Sequence, residues 1–373
     1  MSVSITESEP LPPLYERWVG DFLGGPIPRE SKATCDRCAM SGDAGSAPPR
    51  TVYYFDSVIK CCTYVPELHN FLVGFILSDA DPDTQSGRST VEKRLKDGIA
   101  VTPLGLGQPP VFTLLYNKSE HSFGLSRTLR CPHYLEDGGR CGVWRYRDST
   151  CSTWFCKHVR GEVGHNFWRE SLHRLLSAVE RDLARWCVLE LHLPDDTLRH
   201  LITDASWTLG PREVTGEALD NKVNQESYEL LWGEWRGREA EFFSRCAKLV
   251  EPLSWADVLA ICGPDIRAYS ELTRQSYARL MSDEIPATLN AGSMQLVQIR
   301  HETTRVSTYS GYDPLDVPNI VMELLAYFDG RPTEDALAAI REEHGVKLDL
   351  DLVRKMVDFA LLVPMVRKNS VLR

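Results

Sequence analysis

Several things are missing from this sequence of 373 residues. No run of apolar residues approaches the length needed to cross a bilayer, so a helical membrane anchor is not expected. The opening stretch, MSVSITESEPLPPLYERWVGDFLGG, has acidic residues where a secretory leader would carry positive charge, and it has no long apolar segment. Basic residues are in deficit, 42 against 52 acidic ones for a net charge of −10, which disfavours binding to nucleic-acid phosphates. A phosphate-cradling loop is also wanting. The LGLG at 104–107 lacks a third glycine, and Pro109 and Pro110 stand where a helix should start. No nucleophile–base pair stands out either. These absences point to a soluble cytoplasmic protein without a familiar cosubstrate motif.

Cysteine is abundant by contrast. Of 11 cysteines, eight fall between Cys35 and Cys156 in four pairs: Cys35/Cys38, Cys61/Cys62, Cys131/Cys141 and Cys151/Cys156. In a reducing compartment such density means metal or redox chemistry rather than disulfides, and an odd total cannot pair fully. The CDRC spacing lets one backbone turn aim two thiolates at one ion. Adjacent Cys61 and Cys62 are expected to diverge, serving two sites or one ligand and one supporting thiol. His133 is the histidine nearest a ligand position, with His158 and His165 following the last cysteine of the group. Such histidines are more often satisfied by backbone hydrogen bonds. Lys157 and Arg160 could balance cluster charge or contact an acidic partner, or simply face solvent.

Four segments are expected: an extended lead-in over 1–34 with one short amphipathic turn around Leu14–Phe22, a cysteine-cluster metal-binding domain over 35–165, a helical extension over 166–287 packed on it, and a small domain over 288–373. TVYYF reads as a strand or ordered approach to Cys61, VPELHNFLVGFIL as a helix, and TVEKRLKDG as a helix ending at Gly98. EDGGR makes a tight connection between Cys131 and Cys141. Leu172, Leu175, Leu176, Val179, Leu183 and Trp186 recur at helical spacing, and Cys187 extends that apolar face. A further helix is expected over about 223–249, with Tyr228, Trp232, Trp235, Phe242 and Phe243 as core. Cys246 and Cys262 are given structural roles, the latter ending a helix capped by Ser254. SMQLVQIRHETTRVSTY alternates as a strand pair, and three short helices follow, the second ended by Gly345. The fold class is therefore α-rich α+β, with a winged-helix-like C-terminal domain.

The cysteine pattern resembles the YkgJ-like cysteine-cluster family, described as zinc- or iron-chelating. CPHY begins the second half of that pattern at Cys131. CGVWRYRDSTC follows position by position, with Cys141, Val143 for Ile, Trp144 for Tyr, Arg147 for Arg and Cys151, and Cys156 closes it. It departs in two places: Asp148 replaces a proline, and 22 residues separate Cys38 from Cys61 where the family has two. One branch, similar to the flagellin lysine methylase FliB, is associated with an iron–sulfur cluster and methyl transfer to protein lysines. The stretch VPNIVMELLAYFDGRPTEDALAAI resembles the PqqD-type winged-helix peptide-recognition module.

The expected metal ligands are Cys35, Cys38, Cys61, Cys62, Cys131, Cys141, Cys151 and Cys156. Two four-cysteine zinc sites would use all eight, whereas one [4Fe–4S] cluster would use four. The CDRC knuckle favours zinc. The adjacent pair, the aromatics Trp144, Trp154 and Phe155, and the methylase resemblance favour iron–sulfur, where the balance falls. Three functions follow as expectations. The first is a metal-cluster protein of redox, assembly or peptide/protein modification, with a protein or peptide partner docked by the C-terminal module. The second is a lysine-methylase-like enzyme, and the third a zinc-stapled scaffold without catalysis.

Overall fold

Apolar residues three and four apart over 172–187 dictate a helix with one buried face, and that helix is the axis of the molecule. The computed structural model describes residues 11–31, 38–40, 54–203, 216–220 and 222–365. It is 55% helical with small antiparallel sheets, an α-rich α+β fold. The axial helix His173–Glu190 continues without a break from Gly161–His165 through a π-helical stretch, Asn166–Leu172. Leu175, Leu176, Val179, Leu183, Cys187 and Val188 are buried along it.

Around this axis pack Asn70–Ser78, Glu239–Val250, Trp255–Ile261 and Asp265–Met281. Asn70–Ser78 crosses Glu239–Val250 so closely that a Cβ at Gly74 would stand 1.9 Å from the Phe243 carbonyl oxygen. Asn70 is wholly buried and satisfied at both ends of its amide. Its Nδ2 donates to the carbonyls of Pro103 (3.0 Å) and Ala184 (2.8 Å), and its Oδ1 accepts from the Phe71 amide. Such complete pairing is what makes a polar group tolerable in a core.

The amphipathic turn expected around Leu14–Phe22 is a three-turn helix. Pro13–Leu23 is a helix, ended by Gly24 in the left-handed region, and it buries Tyr15, Trp18, Val19 and Phe22 in the same core. Trp18 Nε1 donates to the Leu253 carbonyl at 2.8 Å. Residues from the lead-in, the cysteine region and the helical extension thus share one core rather than three. The helix expected over 223–249 is interrupted. Gln225–Trp232 and Glu239–Val250 are separated by a turn in which Gly233 (φ 48°) and Gly237 (φ 78°) take left-handed conformations that stop a helix. Trp232, Phe242 and Phe243 of that stripe are fully buried, and Cys246 and Cys262 are buried too. Residues 51–53 of the expected TVYYF strand lie outside the described residues.

A second core begins near Ile285, built on Leu289, Val306, Leu324, Ile340, Val353 and Leu362. Two three-stranded antiparallel sheets carry it. In one, Thr288–Ala291 lies between Asp329–Pro332 and Leu362–Pro364; in the other, Thr303–Ser307 lies between Gln295–Ile299 and Leu315–Pro318. Helices Asn319–Leu324, Thr333–His344 and Leu350–Asp358 complete the unit, and Gly345 ends the second with φ 65°.

The close crossing at Gly74 yields a stability test. Gly74→Ala forces a methyl group into backbone and should destabilise the protein by about 2 kcal/mol or more, read as a lowered thermal midpoint. An unchanged midpoint would mean that the two helices do not approach as described.

Candidate metal centre

The cysteines reach one place by five routes. Cys38 precedes Met40, whose carbonyl accepts the Phe55 amide at 2.6 Å. Cys61 and Cys62 sit in a run of turns over 56–63, where Asp56 Oδ1 accepts the Val58 amide and Lys60 takes φ 52°. Asp56 is fixed in turn by Arg127 at 2.9 Å, which holds its carboxyl below the usual range. The Cys131 amide donates to the Cys62 carbonyl at 2.8 Å and ties the two halves of the pattern together. Cys141 belongs to a two-stranded ribbon, paired with Tyr134, as the EDGGR turn predicts. That ribbon lies against helix Gln85–Asp97 with no room to spare: a Cβ at Gly87 would stand 1.7 Å from the Gly142 carbonyl oxygen. Cys151 lies in helix Ser149–Thr153, whose N-cap Asp148 accepts the Cys151 amide at 2.9 Å.

All seven described members of the expected ligand set line a single cavity of about 620 Å3: Cys38, Cys61, Cys62, Cys131, Cys141, Cys151 and Cys156. Cys35 lies outside the described residues. The thiols fall into two neighbourhoods. Cys38, Cys61, Cys62 and Cys156 influence one another, and Cys131, Cys141 and Cys151 form the second group. Cys61 and Cys62 both line the cavity, and the Cys62 thiol is the first influence on that of Cys61, raising it. Burial pushes the thiols of Cys131 and Cys156 up to about 12, and neighbouring cysteines add to the effect; Cys151 is also raised by burial, and Cys61 by Cys62 and then by burial. Arg94, itself buried behind Cys131, works in the opposite direction. A crowd of thiols in this environment stays protonated unless a cation displaces the protons.

Among the described residues, no group of three or more His, Cys, Asp or Glu side chains stands close enough to hold a metal ion as placed. The donor set nonetheless suits a thiophilic metal or cluster, being soft sulfur in a partly apolar chamber. Aromatic rings form one wall: Phe55, Phe123, Trp154 and Tyr312 touch each other with centroid separations of 5.1 to 6.4 Å. Tyr312 comes from the C-terminal unit, so both units build the chamber.

The histidines stand apart from the cavity lining. His133 is buried with its Nδ1 2.7 Å from Thr90 Oγ1. His158 is buried against Phe155, His165 and Tyr309, and burial lowers its imidazole to about 3. Arg160 does not face solvent. It makes a two-pronged pair with Asp358 (2.9 and 2.7 Å) and donates to the carbonyls of Leu280 and Ser282. Lys157 lies 3.7 Å from Asp313. Both cations therefore clamp the C-terminal unit beside the cavity.

A buried carboxyl supports the wall from behind. Glu180 accepts hydrogen bonds from the Tyr15 hydroxyl, the Ser149 amide (2.7 Å) and the Ser149 hydroxyl (2.5 Å), and so fixes the helix that carries Cys151. Its place between Leu176 and Leu183 on the apolar face is a signal in the sequence that could have exposed it.

Comparison with family models, with curated proteins and with solved structures finds no match for this chain. Among the described residues, no helix is long and apolar enough to cross a membrane.

Glu180 offers a test of this supporting layer. Burial and then the charge of Asp148 raise its carboxyl from 4.5 to about 8. The native state therefore holds a proton that the unfolded chain releases, and stability falls as pH rises from about 5 to 8. Glu180→Gln keeps the acceptor oxygen and should flatten this dependence, measured by urea unfolding across that range. An unaltered slope would show that Glu180 is ionised in the folded protein.

Proposed function

We propose that this chain is a metal-binding cysteine-cluster protein whose cavity holds an iron–sulfur cluster. It would act in redox, assembly or peptide/protein modification, with the C-terminal unit, winged-helix-like in its helix and strand content, as a partner-recognition module. The observation that carries this reading is the meeting of seven thiols from five segments on one cavity. Its ligands would be drawn from Cys35, Cys38, Cys61, Cys62, Cys131, Cys141, Cys151 and Cys156. A bound cluster would supply electron transfer or an open coordination position. The chain's own part is to gather the thiols, exclude water with the aromatic wall, and set basic side chains around the negative charge of the thiolates.

Cavity size bears on the alternatives. A structural zinc site with four cysteine ligands is closed, those ligands filling the shell of the ion. About 620 Å3 is more than a zinc staple needs and falls within the range of small-molecule sites. This favours a cluster with room beside it over the scaffold reading. It also makes a protein-lysine methylase-like enzyme, as the family resemblance implies, the second reading.

Protein purified without oxygen should contain iron and acid-labile sulfide, with a broad visible absorption that bleaches on reduction. Cys61→Ser and Cys62→Ser, made singly, should each reduce the iron content. Two zinc ions per chain with no sulfide and no colour would replace this reading by the stapled scaffold. Full metal content in both variants would remove the adjacent pair from the ligand set.

A further inference from the structure

The charged side chains that reach the surface of the cysteine cavity are cations, with Asp148 and Glu67 set behind them. Its described lining contains Lys60, Arg140, Arg147 and Arg169 but no Asp or Glu, although the whole chain has 52 acidic residues against 42 basic ones. Three of the four cations are accounted for. Lys60 Nζ donates to the Gly139 carbonyl at 3.1 Å. Arg147 donates to the Trp144 carbonyl at 2.7 Å, with its guanidinium 3.8 Å from the centre of the Trp144 ring. Arg140 is exposed to solvent.

Arg169 differs from these. It is half-buried, and its Nη1 is shielded from solvent without meeting an acceptor among the described residues. The adjacent carboxylate, Glu170, is engaged by Arg174 at 2.5 Å. Arg169 also lies in the π-helical stretch Asn166–Leu172, a distortion that recurs at functional sites. The turn is anchored beside it by Trp168, which is fully buried and donates to Glu30 at 3.0 Å. A shielded guanidinium hydrogen without an acceptor costs free energy unless a ligand supplies one. The same lining carries Tyr116, whose hydroxyl is raised by burial and eased down by the Arg169 charge, and Tyr64, packed edge-on to Tyr116 at 5.9 Å, with the charges of Asp148 and Glu67 acting on its hydroxyl from behind the lining.

We propose that this wall is a subsite for a small organic carboxylate, the anion held by Arg169 and the apolar body lying against Tyr64 and Tyr116. A phosphate is the poorer fit, since phosphate sites usually converge several donors or a helix N-terminus on the group. The proposal deepens the cluster reading by naming the class of molecule that shares the cavity. It rests on that reading only for the cavity being the working site, because the carboxylate is held by protein groups alone.

The test is calorimetric titration of the full-length protein, purified without oxygen, with phenylbutyrate, phenylbutanol and phenylbutylamine. The acid should bind at least about tenfold tighter than the alcohol, and the amine weakest, as loss of a charge-assisted hydrogen bond predicts. Arg169→Gln should abolish the preference and Arg169→Lys should restore part of it, with iron and sulfide contents unchanged in both. Equal binding of acid and alcohol would overturn the proposal and leave Arg169 as a counter-charge to the thiolates. So would an undiminished preference in Arg169→Gln, no binding of any of the three, or displacement of the acid by inorganic phosphate at lower concentration than by a second carboxylate. Should Arg169→Gln fail to fold, the comparison of the three ligands on the native protein still decides. A carboxylate preference without iron or sulfide would sink the cluster and spare the subsite; iron and sulfide without the preference would do the reverse.

Discussion

One buried carboxyl, Glu180, holds the supporting layer of this molecule together. It sits on the axial helix and receives hydrogen bonds from Tyr15 of the opening helix and from Ser149 at the start of the helix bearing Cys151. Three elements far apart in the chain therefore converge on two oxygen atoms. A carboxyl placed so deeply is stable only when its hydrogen-bonding capacity is met, and losing one partner would leave the others exposed to the full desolvation cost. The position of Cys151 on the cavity wall follows from this knot, since Asp148 and Ser149 set the first turn of its helix.

The other side of the cavity depends on the segment just after Cys156. Lys157 and Arg160 reach Asp313 and Asp358 of the C-terminal unit. Gly161 lies so close that a Cβ would stand 2.7 Å from the Asp358 carbonyl oxygen. Tyr309 fills the gap against His158 and His165. The next aromatic, Tyr312, closes onto Phe55, Phe123 and Trp154. A peptide-binding module at this position would share side chains with the chamber itself.

Much of this was legible in the residues, where the cause is local. The Cys131–Cys141 ribbon follows from its glycine turn, the axial helix from its apolar spacing, and the stops at Gly98 and Gly345 from the left-handed conformation that glycine tolerates. The Ser254 cap is seen with its reciprocal partner Asp257. What stayed hidden is long-range. The opening helix looks weak by itself, with prolines before it and acids beside it, and becomes core through contacts with residues far along the chain, such as Tyr15 with Glu180 and Trp18 with Leu253. The cationic lining of the cavity is invisible in the overall charge, because its four cations come from three separate stretches. The positive φ at Lys60, just before the adjacent pair, is likewise foretold by no spacing rule.

The contribution of Tyr312 has a consequence for the order of events during synthesis. Chains emerge from the ribosome N-terminus first, and domains generally fold as units in that order. Every described cysteine of the cavity precedes residue 157, whereas the tyrosine that completes the aromatic wall follows 156 residues after Cys156. Until that residue is made, Phe55, Phe123 and Trp154 lack the ring that packs against all three of them. The chamber is therefore complete only once the unit beginning near Ile285 has docked against the cysteine region.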